Sequence, residues 1–179
     1  MTLIMAVDPG LANFGLVMID ESTPEHHRCL EVAVFHSEPL GKKLDVALAD
    51  DRVRRCRDLY RWLDARPRPD ACAAEAMSFP RGAKAIASIS LAWGILIAVL
   101  ESKRIPLVTA HPKTWRRAIC RSGSEADSHA AAMALVPSYA DFESSIVKGQ
   151  REHARDALGV FCWSLHTDVV RSVLGKASA

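Results

Sequence analysis

Asp8, Glu75, His153 and Asp156 are the residues of this chain whose types and settings could together do chemistry. Asp8 closes the apolar run LIMAV and is followed at once by Pro9-Gly10, and Glu75 closes the small-residue run ACAA. An acid that ends a short strand emerges at the edge of its sheet, and two such acids on neighbouring strands emerge side by side. His153 and Asp156 stand three apart in a helical stretch, with Glu152 nearby, a spacing that lets them meet a common ion or water. Two strand-end carboxylates and a helical carboxylate describe a hard-cation site. Mg²⁺ prefers oxygen ligands and keeps several waters, so a few carboxylates suit it better than a closed cage. Two such ions about 3.5–4 Å apart serve phosphodiester hydrolysis, at the attacking water and at the leaving oxygen. Each residue alone also has a plainer use. An Asp before Pro-Gly makes an Asx-type turn, a Glu after a strand meets solvent, and acids in a first helical turn suit the helix dipole.

The elements that must position these groups can be read from the apolar pattern. Residues 3–7 form a continuous apolar run closed by Pro-Gly, which suits a central strand buried on both faces. Residues 16–19 and 31–35 read as two further strands, and three in close succession suggest an antiparallel meander. Residues 42–65 carry apolar entries at Leu44, Leu48, Leu59, Trp62 and Leu63, the pattern of an amphipathic helix that the Pro67 and Pro69 segment ends. A short strand over 71–74 delivers Glu75, an alanine-rich helix over 83–102 reads as buried or interfacial, and 106–110 gives another brief strand. Helices follow over 114–120 and 125–135, a loop over 137–150, and a final helix over 151–174 whose apolar face is Leu158, Phe161, Cys162, Leu165 and Val169. The order predicts one α/β domain spanning 1–179, with a mixed five-stranded sheet flanked by helices.

Composition restricts the classes of function. At 179 residues with 49% hydrophobic and 25% charged residues, the chain can bury a sizeable core and is not disordered. Its longest apolar-rich stretch, 86–100, is interrupted by Ser88, Ser90 and Gly94 and is expected to fall short of the about 20 apolar residues of a spanning helix. The N-terminus lacks a basic n-region and reaches an acid at once, so no signal peptide and a cytoplasmic location are expected. The five scattered cysteines have no metal-ligand or redox spacing and read as reduced structural thiols. A net charge of +2 predicts no polyanion partner by itself. Residues 102–124, however, carry Lys103, Arg104, Lys113, Arg116, Arg117 and Arg121 with no acid among them, a run that serves to neutralise phosphates or to solvate a helix face.

The ordered set of segments resembles the RuvC family of Holliday-junction resolvases. MAVDPGLANFGLVMID resembles the family's first motif, PDACAAEAMSF its Pro-Asp, strand, Glu and aromatic segment, SLAWGILIAVLESKRIPL the helix and strand next in order, and EHARDALGVFCW its closing metal motif. The resemblance covers nearly the whole chain. It implies a ribonuclease-H-like fold, a homodimer with two active sites, dependence on Mg²⁺ or Mn²⁺ with two ions per site, and paired nicks across a four-way DNA junction that leave 5′-phosphate and 3′-hydroxyl ends. A branch-migration motor is a further implied partner. Carried over by position, Asp8, Glu75 and Asp156 would be carboxylate ligands. His153 would be a fourth ligand or a proton-handling group, and the helix around Trp93-Gly94 would face the second copy.

Two departures bear on substrate choice. The family's aromatic wedge lies close behind the Glu; Phe79 is the candidate here, shifted by a residue. Where many relatives place a lysine after the Gly-Ser pair, this chain has Asp127, leaving Lys113, Arg116 and Arg117 to supply phosphate contacts, with Arg121 in the same basic run. Arg81 and Lys84 could touch phosphate or simply begin an exposed helix. Trp115 could stack on a base, with packing in its own domain the plainer role. Met77 is expected to pack near the site, and Trp62 and Trp163 in or beside the core. Rival readings are a broader branched-DNA nuclease, a ribosomal-RNA-processing nuclease of the same fold, and a catalytically idle nucleic-acid-binding protein. A sugar-kinase-like domain would need a second phosphate loop and more chain.

Overall fold

Strand β1 (Leu3–Asp8) is the axis of the molecule, buried from Leu3 to Val7. Its apolar residues point alternately to two faces, so Ile4 and Ala6 enter one core while Leu3, Met5 and Val7 enter another. A strand buried on both faces is why this segment reads as an uninterrupted apolar run rather than an alternating one. β2 (Asn13–Asp20) returns antiparallel beside it, and β3 (Arg28–His36) pairs antiparallel with β2, with a register shift between Met18 and Ile19. On the other side β4 (Ala71–Glu75) and β5 (Leu107–Ala110) run parallel to β1, giving the order β3-β2-β1-β4-β5. The mixed five-stranded sheet expected from the sequence is present. The computed structural model describes residues 2–22, 27–40, 48–77 and 82–175.

One face of the sheet packs against α1 (Leu48–Asp64) and α2 (Ala83–Lys103) through Leu59, Leu63, Ala92, Leu96, Val99 and Leu100. The other face carries α3 (Pro112–Ile119), α4 (Glu125–Leu135), α5 (Ala140–Glu143), α6 (Arg151–Ser164) and α7 (Asp168–Val173). There α6 lies across β1 and β2 and buries Ala154, Ala157, Leu158, Val160 and Phe161.

Several sequence expectations need correction. The segment 137–150, read as a loop, contains two 3-10 turns (Pro137–Tyr139 and Lys148–Gln150) around α5, and it buries Tyr139 and Ile146. The final helix is two helices. After Ser164 the chain turns, and Thr167 caps α7 by accepting from the Val170 backbone N–H at 3.4 Å. The break rotates the pattern, so Val170 is buried while Val169 is 37% exposed. The apolar stretch expected to fall short of a span lies in a 21-residue helix, and Ala85–Lys103 is long and apolar enough to cross a membrane by length and composition alone. Residues 41–47, including Leu44 of the expected first helix, lie outside the described residues. All five cysteines are free thiols.

Candidate active site

Strand register brings Asp8 and Glu75 together. The parallel pairing of β1 with β4 matches Val7 to Ala74, so Asp8 and Glu75 occupy the next rung, both at the C-terminal ends of their strands. Period-two alternation then fixes the face. Ile4 and Ala6 on β1, and Ala71 and Ala73 on β4, all enter the core beneath α6, so Asp8 and Glu75 point to that same side.

The helix α6 meets them there because β2 lets it approach. A Cβ on Gly15 would stand 2.1 Å from the His153 carbonyl oxygen, so only glycine permits this contact of backbone on backbone. The first turns of α6 thereby place His153 Nδ1 2.6 Å from Asp8 Oδ2. Asp156, one turn on, is 7% exposed and has its Oδ1 2.8 Å from His129 Nε2 on α4 and 3.5 Å from Arg116 on α3. Glu75 Oε2 accepts from the indole N–H of Trp115 at 2.9 Å. The hydrogen bonds thus fall on one oxygen of each carboxylate: Oδ2 of Asp8, Oε2 of Glu75 and Oδ1 of Asp156.

Clustered acids raise one another's proton affinity. Burial, then the charge of Asp8, pushes the Glu75 carboxyl up to about 8, against the Trp115 hydrogen bond that lowers it. Burial also raises Asp8, with His153 opposing. The hydrogen bond that His153 makes to Asp8 raises its imidazole above the ordinary value. Among the described residues, no three His, Cys, Asp or Glu side chains are already gathered in ion-binding geometry. The donor set nonetheless fits a hard divalent cation. Asp8 and Glu75 end adjacent strands, Asp156 is near enough for its charge to raise both, and a cation offsets the burial and mutual repulsion that raise Glu75.

Around this centre, a cavity of about 60 Å³ is lined by Asp8, Pro9, Glu75, Ala76, Met77, Ile89 and Trp93, which puts Met77 beside the site as expected. An adjoining cleft of about 290 Å³ runs past Asp8, Asn13, Ser88, Ile89 and His153. Lys113, Arg117 and Arg121 are exposed on or just beyond α3. Arg116, grouped with them by sequence, instead turns inward to Asp156 and to Glu125 at 3.1 Å. Lys84 lies in the first turn of α2, whereas Phe79 and Arg81 lie outside the described residues. Asp127 accepts from Ser122 Oγ at 2.6 Å at the start of α4.

Sequence reasoning passed over His129 and gave Trp115 no part in the site. Trp115 is fully buried, which excludes base stacking. Trp62 packs edge-on to Phe14 at 6.1 Å, at the boundary of the α1–α2 core, and Trp163 packs against the core beneath α6.

No protein-family model matches the chain. It is 28% identical over 121 residues to the crossover junction endodeoxyribonuclease RuvC of Frankia alni, a stretch that covers 67% of this chain and 58% of that protein's length. Among solved structures it is similar to Thermus thermophilus RuvC in complex with a Holliday junction substrate, with TM-score 0.70 and 19% identity over 99% of this chain and 98% of the other. The yeast mitochondrial Holliday junction resolvase gives TM-score 0.66 and 12% identity over 97% and 80% of the two chains. The fowlpox virus Holliday junction resolvase gives 0.58 and 12% over 92% and 97%. The fold of this chain, a mixed five-stranded sheet flanked by helices, is similar to that of these junction resolvases over nearly its whole length.

Proposed function

We propose that the chain is a metal-dependent, structure-selective DNA endonuclease that resolves four-way junctions by paired nicks. The observation that carries this reading is the neighbouring placement of Asp8 and Glu75 at the ends of β1 and β4, with Asp156 of α6 near enough for its charge to raise both, in a fold shared with junction resolvases. Asp8, Glu75 and Asp156 would hold Mg²⁺ or Mn²⁺, with two ions per site the arrangement their number favours. Bound there, the cation supplies Lewis acidity toward the phosphate and acidifies water.

The chain's own groups have separable tasks. The cleft past Asn13 and Ser88 admits the backbone of one DNA strand to the carboxylates. His153, with Nδ1 on Asp8, has Nε2 left to hand a proton to the departing oxygen. Lys113, Arg117 and Arg121, exposed beside the site, contact phosphates of the arms. The second copy of a homodimer sits on α2, where Ile86, Leu91 and Ile97 are exposed along a helix that reads as apolar. Phe79 as a junction wedge, Arg81 and Lys84 as phosphate contacts, and a branch-migration motor as partner belong to the same reading and rest on the resemblance.

The test is cleavage of a labelled synthetic four-way junction and its matched duplex with Mg²⁺, Mn²⁺ or EDTA, beside Asp8→Asn. Symmetric nicks in the junction alone, lost in EDTA and in the variant, establish a resolvase. Equal cutting of flaps, forks and junctions makes it a general branched-DNA nuclease, and cleavage of ribosomal RNA precursors alone makes it an RNA-processing enzyme. Tight junction binding with no cleavage in any metal leaves a binding protein.

A further inference from the structure

Two buried aromatic side chains meet the site from behind. Trp115 reaches β4 from α3 and His129 reaches α6 from α4, and their rings lie nearly parallel, 17° apart with centroids 6.3 Å apart. Trp115 donates its indole N–H to Glu75, and His129 Nε2 lies 2.8 Å from Asp156. An ionised carboxylate only accepts, so Nε2 of His129 carries the proton in that bond. One stacked pair therefore ties two of the three carboxylates to each other through rigid aromatic rings. Core packing alone does not require this. A phenylalanine fills most of an indole's volume, and a buried leucine replaces an imidazole without needing a polar partner.

The fit of the pair is tight. A Cβ on Gly159 would stand 2.3 Å from Trp115 Cζ3, so α6 is notched to accept the ring face. Arg116 also lies over the indole, with its guanidinium carbon 5.2 Å from the ring centroid. The indole thus sits directly against α6, the helix that carries Asp156.

We propose that Trp115 and His129 are positioning residues for the cation site. The stacked pair holds Oε2 of Glu75 and Oδ1 of Asp156, and the other oxygen of each carboxylate would be left to hold a cation. This rests on the metal-dependent nuclease reading above. Outer hydrogen-bond partners of metal-binding carboxylates typically contribute about 10–100-fold in metal affinity or activity.

The experiment measures Mn²⁺ binding by calorimetry on the full chain without DNA, and then junction cleavage against Mn²⁺ concentration. Trp115→Phe keeps the ring and removes the donor. It is expected to weaken Mn²⁺ binding about ten-fold or more and to shift the metal requirement for cleavage upward by the same factor. The maximal rate at saturating metal should fall less. His129→Leu should do likewise, and His129→Gln, which retains a donor, should recover part of the loss. This pair decides the matter if Trp115→Phe does not fold. Wild-type Mn²⁺ affinity in folded Trp115→Phe and His129→Leu, or equal loss in His129→Leu and His129→Gln, overturns the proposal while leaving the nuclease standing. A wild-type chain that binds no Mn²⁺ and cuts no junction overturns both.

Discussion

Gly15 on β2 and His153 at the start of α6 touch backbone to backbone, at a place where a side chain on Gly15 would run into the His153 carbonyl at 2.1 Å. The contact sets how deeply the first turn of α6 seats on the sheet, and with it the 2.6 Å approach of His153 to Asp8. Gly15→Ala should lift that turn and cost about 1–3 kcal/mol, as overpacking does. The informative readout is activity in the folded variant. Junction cleavage should fall well beyond the loss of folded protein, measured by circular dichroism and single-turnover rates at one temperature.

Without metal, stability should decrease as pH rises. Glu75 and His153 both have folded-state values raised above their ordinary ones, Glu75 to about 8. A raised group contributes stability that is full below its unfolded value and is lost as pH climbs through the folded one. For Glu75 the window runs from about 4.5 to about 8. Tm in EDTA should fall from pH 5 to pH 8.5, the fall should shrink in Glu75→Gln, and Mg²⁺ should restore most of it at the alkaline end. A flat wild-type profile would show that Glu75 is not held as described.

Proton donation by His153 predicts an alkaline limb. The raised imidazole value moves the loss of the donated proton to higher pH, and the contribution is lost as pH rises through it. His153→Ala should lower single-turnover cleavage about 10²–10⁴-fold at neutral pH and remove that limb. Full turnover in the variant across neutral pH would end this role for His153.

Lys113, Arg117 and Arg121 should separate from Arg116 in salt titrations. Each of the three exposed residues, changed to alanine, should weaken junction binding and reduce the log–log salt slope by about one. Arg116→Ala should leave the slope nearly unchanged, because that guanidinium is engaged by Asp156 and Glu125. Its effect should appear in metal affinity instead.

The exposed apolar residues of α2 predict self-association. Ile97, 45% exposed, placed in the dimer face by the proposed reading, should on change to Glu yield monomers in sedimentation equilibrium while the α1–α2 core remains folded.

What the sequence made legible follows from how local each signal is. Asp8 and Glu75 could be found because each ends an apolar run, and alternation along that run also decides the face. The division between α6 and α7 was hidden because Leu165 and Val169 continue the helical period across a break made by the cap at Thr167. His129 gave no signal. Its role depends on where α4 lands on α6, and nothing next to it in the chain, between Ser128 and Ala130, marks it. Trp115 packs in its own domain, as its plainer reading had it, but its bond to Glu75 depends on where α3 lands beside β4, which its exposed neighbours Lys113 and Arg117 do not mark.

The rung shared by β1 and β4 also bears on how far such a sequence can drift. The gap between Asp8 and Glu75 is set by main-chain bonds between adjacent strands, about 4.8 Å apart whatever side chains they carry. Valine for isoleucine, or alanine for cysteine, leaves that spacing untouched, whereas a slip of a single residue would turn one acid to the opposite face. The ruler is written in peptide groups, so the letters along it are free to change. A chain sharing only 19% of its residues with the Thermus thermophilus protein can therefore still superpose on it at TM-score 0.70.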